Sequence, residues 1–227
     1  IVKEKEDNVI LTPTFNSDLT DIIKWKATTP DGTVYTFENV EQVEFKPFRA
    51  CNDCWYLTSI ETSGGSVLKF TYTKGATQYK TFNRYQESGP EGTNNAAQIK
   101  YNTYENSLYI NAIEYNGGRL VFNYLTDRED TEWLPRLVNI ERYVGSAKTT
   151  IWEMNQSYFN SNMNDFEIPT VSYLQQLGMA ELGYDNDWNT KRLRLDAVQV
   201  MPVDYSDTAT YKLDYNETHL PTKLSTA

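Results

Sequence analysis

Histidine and cysteine are nearly missing from this chain: its 227 residues hold one histidine, His219, and two cysteines, Cys51 and Cys54. A zinc site takes about four nitrogen or sulfur ligands, more than these residues supply. His219 stands before Leu220-Pro221 with no evident Ser or Asp partner, which leaves a catalytic triad unsupported. Long apolar runs are absent too, and none reaches the ~18 residues that would mark a membrane-spanning helix. Positive charge is scarce, since 21 Lys and Arg stand against 31 Asp and Glu for a net charge of −10. Non-specific binding to nucleic acid or to an anionic membrane needs a positive footprint, so neither is expected as a partner. The opening stretch, IVKEKEDNVI, shows neither an initiator Met nor a signal peptide, and it reads as part of something longer.

What the chain does have is aromatic and β-branched side chains. Aromatics make up 14% of it, with 17 Tyr, a composition that suits pleated, half-buried surfaces better than helices. Residues 1–227 are therefore read as a single all-β domain, long enough to bury a core. The clearest element is Leu108 to Tyr124, LYINAIEYNGGRLVFNY. Leu120, Phe122 and Tyr124 alternate with Arg119, Val121 and Asn123, which is a strand with its large residues on one face. Asn116-Gly117-Gly118 supplies residues that accept positive φ for the turn.

Variants of this unit recur. Trp55 to Thr73 repeats it with Leu57 and Ile60, Gly64-Gly65, then Leu68, Phe70 and Tyr72. A third copy begins at Arg136 to Ile140 and returns at Thr149 to Met154, and a fourth begins at Arg192 to Leu195 and returns at Tyr211 to Tyr215. Before them, Trp25 to Thr28 and Val34 to Phe37 flank the turn Pro30-Asp31-Gly32. The first arm of every copy spaces its apolar pair by three: Leu57 and Ile60, Ile110 and Ile113, Leu137 and Ile140, Leu195 and Val198. Strict alternation would put such a pair on opposite faces, so either a bulge intervenes or both faces are covered. Residues 46–54 and 86–98 read as loops. Residues 155–190 break the strand rhythm and read as an insertion, with Thr170 capping a short helix through Leu182.

Unequal copies of [Leu/Ile]-x-x-[Ile/Val], a turn, and [Leu/Tyr]-x-[Phe/Leu]-x-Tyr resemble the YD-repeat, or RHS, proteins. The large secreted or surface proteins of this type in Bacteroidetes look similar through WKATTPDGTVYTF, CWYLTSIE, LVFNYLTDRED, RLVNIERYV, KRLRLDAVQV and YKLDYNETHLP. The resemblance implies a long, curved, spiralling sheet of antiparallel hairpins that acts as scaffold at the cell surface or outside the cell. It implies neighbouring repeats or domains of a longer chain as partners, with no cofactor and no catalysis in this segment.

Other readings attach to particular residues. Cys51-Asn52-Asp53-Cys54 is a CxxC, open to a local disulfide in a secreted setting, to structural thiols, or to a redox role that would need a helix N-terminus. Asp185, Asp187 and Asn189, with Asp196 in last place, have the ligand spacing of a calcium loop, but Thr190 sits where that loop needs Gly; the alternative is a polar turn. Asp127, Glu129 and Asp130 surround Arg128 and pose the question of paired carboxylates for glycoside hydrolysis, against a solvated strand-end turn with a structural Arg pair. Tyr101, Tyr104 and Trp188 lie in polar segments and are the candidate exposed aromatics for a cell-surface glycan. Asp207-Thr208-Ala209 matches a short O-glycan acceptor pattern. The expected function is thus a scaffold, with a carbohydrate-binding module and then a glycoside hydrolase as alternatives.

Overall fold

The computed structural model describes residues 8–43, 51–89, 92–131, 134–160, 191–204 and 206–216, with the backbone alone for 42, 43, 51–53, 76–89 and 92–106. These residues form one curved antiparallel sheet of eleven strands in chain order, and it does not close into a barrel. The strands are β1 (Ile10–Phe15), β2 (Ile22–Thr28), β3 (Val34–Val43), β4 (Cys51–Glu61), β5 (Val67–Gly89), β6 (Gly92–Tyr115), β7 (Gly118–Leu125), β8 (Arg136–Val144), β9 (Ala147–Asn160), β10 (Lys191–Pro202) and β11 (Ala209–Lys212). The C-terminal end of β3 also meets β6, at Gln42↔Glu105 and Val43↔Tyr104.

The spacing of three is explained by a bulge in the first arm of each copy, always at the same place. Thr58, Asn111, Val138 and Asp196 are each skipped in the ladder between the two apolar positions of their arm. The extra residue restores the parity that x-x would break, so both apolar residues reach the same face. On that face Phe37 meets Leu57, Tyr35 meets Ile60, Tyr72 meets Ile110, Phe70 meets Ile113, Tyr124 meets Leu137 and Phe122 meets Ile140. The opposite face carries a polar row that crosses strand by strand from Thr36 through Ser59, Lys69, Glu114, Arg119 and Tyr143 to Lys148. Along it the Arg119 guanidinium lies 4.4 Å from the Tyr143 ring centroid, and Lys148 pairs with Glu141 at 2.5 Å. Lys148 chiefly, through its hydrogen bond, holds the Glu141 carboxyl below its usual range.

This is a single layer, and its burial shows it. Among the described residues only Leu108, Ala112 and Ala197 are buried apolar side chains, and Phe122 is half-buried rather than enclosed. Ala112 and Ala197 hold equivalent places, just after a bulge, where Ser59 and Asn139 stand in the other copies.

Two kinds of turn join the arms of the hairpins β2–β3, β4–β5, β6–β7 and β8–β9. Thr29 and Thr62 each donate a backbone N–H across a three-residue loop, to Thr33 and Ser66, with Gly32 and Gly65 in the left-handed region. The other two turns have two residues, Asn116-Gly117 and Gly145-Ser146, and they touch: Gly145 N–H donates to the Gly117 carbonyl at 3.0 Å. In the Asn116-Gly117 turn the positive φ falls on Gly117, at 81°, and not on Asn116.

Several sequence expectations change. Residues 86–98 are not a loop: β5 and β6 stay paired to Gly89↔Gly92, because backbone pairing is satisfied whatever the polarity of the side chains. Residues 51–54 belong to β4 rather than to the loop expected over 46–54. The insertion expected over 155–190 begins later, since β9 runs on to Asn160, which pairs with Lys191. Its remainder, 161–190, with the expected helix and with Asp185, Asp187, Trp188 and Asn189, lies outside the described residues.

Candidate functional site

The bulges do more than set parity. Each bulged first arm pairs with the preceding strand on both sides of its bulge, but with its own return arm only near the turn: β4 with β5 over Ser59–Glu61, β6 with β7 over Ala112–Tyr115, β8 with β9 over Asn139–Val144 and β10 with β11 over Ala197–Val200. Beyond the bulge the two arms part, because the extra residue bends one of them. The unpaired stretch between the two arms recurs in every copy, and what spans it differs.

In three copies a side chain from the return arm reaches across and bonds the carbonyl of the first apolar residue. Tyr72 Oη donates to Leu57 O at 2.7 Å, Gln156 Nε2 to Leu137 O at 3.1 Å, and Tyr215 Oη to Leu195 O at 2.7 Å. The residue just before that apolar position completes each clasp. Tyr56 packs edge-on against Tyr72 at 5.3 Å, Arg136 donates to Gln156 at 3.2 Å, and the Arg194 guanidinium lies 5.8 Å from the Tyr215 ring centroid. Burial raises the Tyr72 hydroxyl, and burial followed by the hydrogen bond to Glu41 raises that of Tyr56.

The copy between β6 and β7 has the same residues, Tyr109 and Tyr124, with rings 5.9 Å apart. Among the described residues no hydrogen bond joins Tyr124 to Ile110, and the gap stands open as a cavity of about 700 Å³. Tyr109, Phe122 and Tyr124 form its aromatic walls, with Asn111, Thr126 and Lys74 at its polar margin. Gly75 lies against Tyr109, where an added Cβ would come within 3.0 Å of the ring. Burial, then the neighbouring Tyr109, raises the Tyr124 hydroxyl.

This contrast yields an expected result. Tyr72→Phe, which removes one clasp, should destabilise the fold by about 1 kcal/mol, whereas Tyr124→Phe should change it by less than about 0.3 kcal/mol. Urea unfolding of both variants measures the difference, and equal losses would mean that Tyr124 is clasped like the others.

The acidic stretch after β7 is a latch. The Arg136 guanidinium is bidentate on Asp127 at 2.6 and 2.7 Å, and this contact keeps the Asp127 carboxyl below its usual range. Glu129 pairs with Lys191, and its backbone N–H donates to the Tyr158 hydroxyl at 2.9 Å. Asp130, 3% exposed, accepts from Arg128 at 2.9 and 2.8 Å and from the backbone N–H of Leu193 at 3.2 Å. Each carboxylate is thus held by a cation, Asp127 by Arg136, Glu129 by Lys191 and Asp130 by Arg128, but the turn is not solvated throughout as expected, since Asp130 is buried.

The other candidates separate. Cys54 is exposed and lies on β4 opposite Glu41, and Cys51 lies opposite Val43, so the CxxC sits within a strand. Asp196, the last place in the expected calcium loop, is the bulged residue of β10, and its carboxylate takes Arg194 Nε at 2.6 Å. Tyr101 and Tyr104 lie on the backbone of β6, paired with Lys80 and Thr77. Asp207-Thr208-Ala209 leads into β11 and is exposed. The open cleft carries no signal of its own in the sequence: a Tyr before the first apolar residue and a Tyr closing the return arm occur both in the clasped copy, as Tyr56/Tyr72, and in the open one, as Tyr109/Tyr124.

No protein family, curated protein or solved structure matches this chain.

Proposed function

We propose that this chain is a scaffold segment of a larger exported, YD-repeat-like protein, continued strand by strand by neighbouring repeats at the cell surface or outside the cell. One observation carries the reading. In each completed junction a return strand, β5, β7 or β9, pairs with the first arm of the next copy across that arm's bulge. The last return strand, β11, has no such neighbour among the described residues, and Tyr211 on it and Leu213 and Tyr215 beyond it are 65%, 39% and 37% exposed. Open strand edges with apolar side chains are sites for another strand. The acid that recurs after the second apolar residue, as Glu61, Glu114 and Glu141, is replaced by Gln199 in the fourth copy, which fits building material.

The repeat predicts the register that a further arm would take. Tyr72 meets Ile110, Tyr124 meets Leu137 and Gln156 meets Leu195, so Tyr215 should meet the first apolar residue of a further arm, with a bulge after it. A copy of residues 134–144 attached beyond β11 through a flexible linker should raise the thermal midpoint by about 5 °C or more. The same copy carrying Leu137→Ser and Ile140→Ser should not. A midpoint unmoved by the intact arm, or moved equally by both, would rule out continuation of the sheet at β11.

A further inference from the structure

The open cleft between β6 and β7 calls for its own account, because the residues that fill the equivalent gap between β4 and β5 are present and leave it open. We propose that it binds an oligosaccharide bearing a carboxylate, with a sugar ring against Tyr109 and Tyr124 and the carboxylate on Lys74. A volume of about 700 Å³ is that of a small-ligand site. Half-buried tyrosine rings offer rigid apolar faces with polar tips, the surface on which the C–H face of a pyranose lies.

Around those rings the chemistry is polar and selective. Asn111 and Thr126 are exposed, and neither spends its side chain on a hydrogen bond among the described residues. Asn111 is itself the bulged residue of β6, so the device that opens the gap also sets an amide at its edge. Among the described residues Lys74 is the one charged residue lining the cleft, and it makes no ion pair there. Among the described residues no carboxylate lines it, although the chain as a whole carries a net charge of −10. A basic ligand finds no counter-charge there, and a purely apolar one leaves Lys74 and Asn111 with nothing to contact. An acidic sugar uses all three features. The inference does not depend on whether β11 is continued by another strand, and a failure of one leaves the other standing.

Titration calorimetry of the full chain with oligogalacturonate and oligosialate, against neutral cello- and malto-oligosaccharides of equal length, tests it. An acidic oligosaccharide should bind at least about tenfold more tightly than its neutral counterparts, and added salt should weaken it. Lys74→Gln should erase that preference, and Thr126→Trp, which fills the mouth of the cleft, should abolish binding altogether. Both positions are exposed, so unchanged thermal midpoints separate lost binding from lost folding. Should Thr126→Trp disturb the fold, Asn111→Ala replaces it, with a loss of about tenfold expected. The proposal fails if no acidic oligosaccharide binds, if neutral sugars bind as well as acidic ones, if the variants bind as the parent does, or if an extended peptide is the ligand that occupies the cleft.

Discussion

Gly118→Ala is expected to destabilise the protein by about 2–3 kcal/mol, the scale of forcing an extra carbon into a filled space. A Cβ on Gly118 would come within 2.6 Å of the Tyr143 carbonyl oxygen and 2.8 Å of the Tyr115 ring. The carbonyl is backbone, fixed by the pairing of β7 with β8, so it cannot swing aside as a side-chain tip would. Moving it would also strain the contact between successive turns, where Gly145 donates to Gly117. The comparison is Gly64→Ala in the preceding copy. Gly64 has no positive φ, and the nearest atom to its added Cβ is Thr62 Oγ1 at 3.9 Å, so the change should be within about 0.5 kcal/mol of neutral. Urea unfolding with an unchanged m-value reads both. Equal effects at the two positions would mean that the paired glycines serve only the turn and not the stacking of one hairpin on the next.

That contrast shows where the sequence was legible. Alternation of Leu120, Phe122 and Tyr124, and the glycines before them, located the hairpin because strand period and turn chemistry are local properties of the chain. The spacing of three posed the right alternatives, and the bulges at Thr58, Asn111, Val138 and Asp196 decided between them. Other features depended on partners distant in sequence. β9 runs to Asn160 because Lys191, thirty-one positions on, pairs with it, and no local pattern over 155–160 announces that neighbour. The paired backbone of 86–98 was hidden by polar side chains, which report exposure but not hydrogen bonding. The clasp donors were hidden differently, since Tyr72, Gln156 and Tyr215 perform one task with two chemistries. The cleft was least legible of all. Tyr109 and Tyr124 repeat Tyr56 and Tyr72, so its opening lies in how far two strands diverge and not in which residues line them.

Asp130→Ala should cost about 2–4 kcal/mol, a loss set by what the missing carboxylate leaves behind. Arg128, with a side chain 19% exposed, would lose both of its short contacts while remaining largely out of water. The backbone N–H of Leu193 would lose its acceptor at the start of β10, the strand that carries the fourth copy. The stretch after β7 would then be tied to β9 and β10 through Glu129, by its contacts with Lys191 and Tyr158, and through Asp127, by way of Arg136. Asp127→Ala is the control within the same motif. Its carboxylate is 49% exposed, so solvent already screens the pair with Arg136, and its removal should cost no more than about 1 kcal/mol. Asp130→Asn should fall between them, because an amide oxygen still accepts one hydrogen bond but leaves the guanidinium without its counter-charge. Hydrogen exchange at the amide of Leu193 adds a local readout: its protection should collapse in Asp130→Ala and persist in Asp127→Ala. If both alanine variants unfold at the same urea concentration, the acidic stretch is a solvated surface turn, and the junction between the third and fourth copies is held by strand pairing alone.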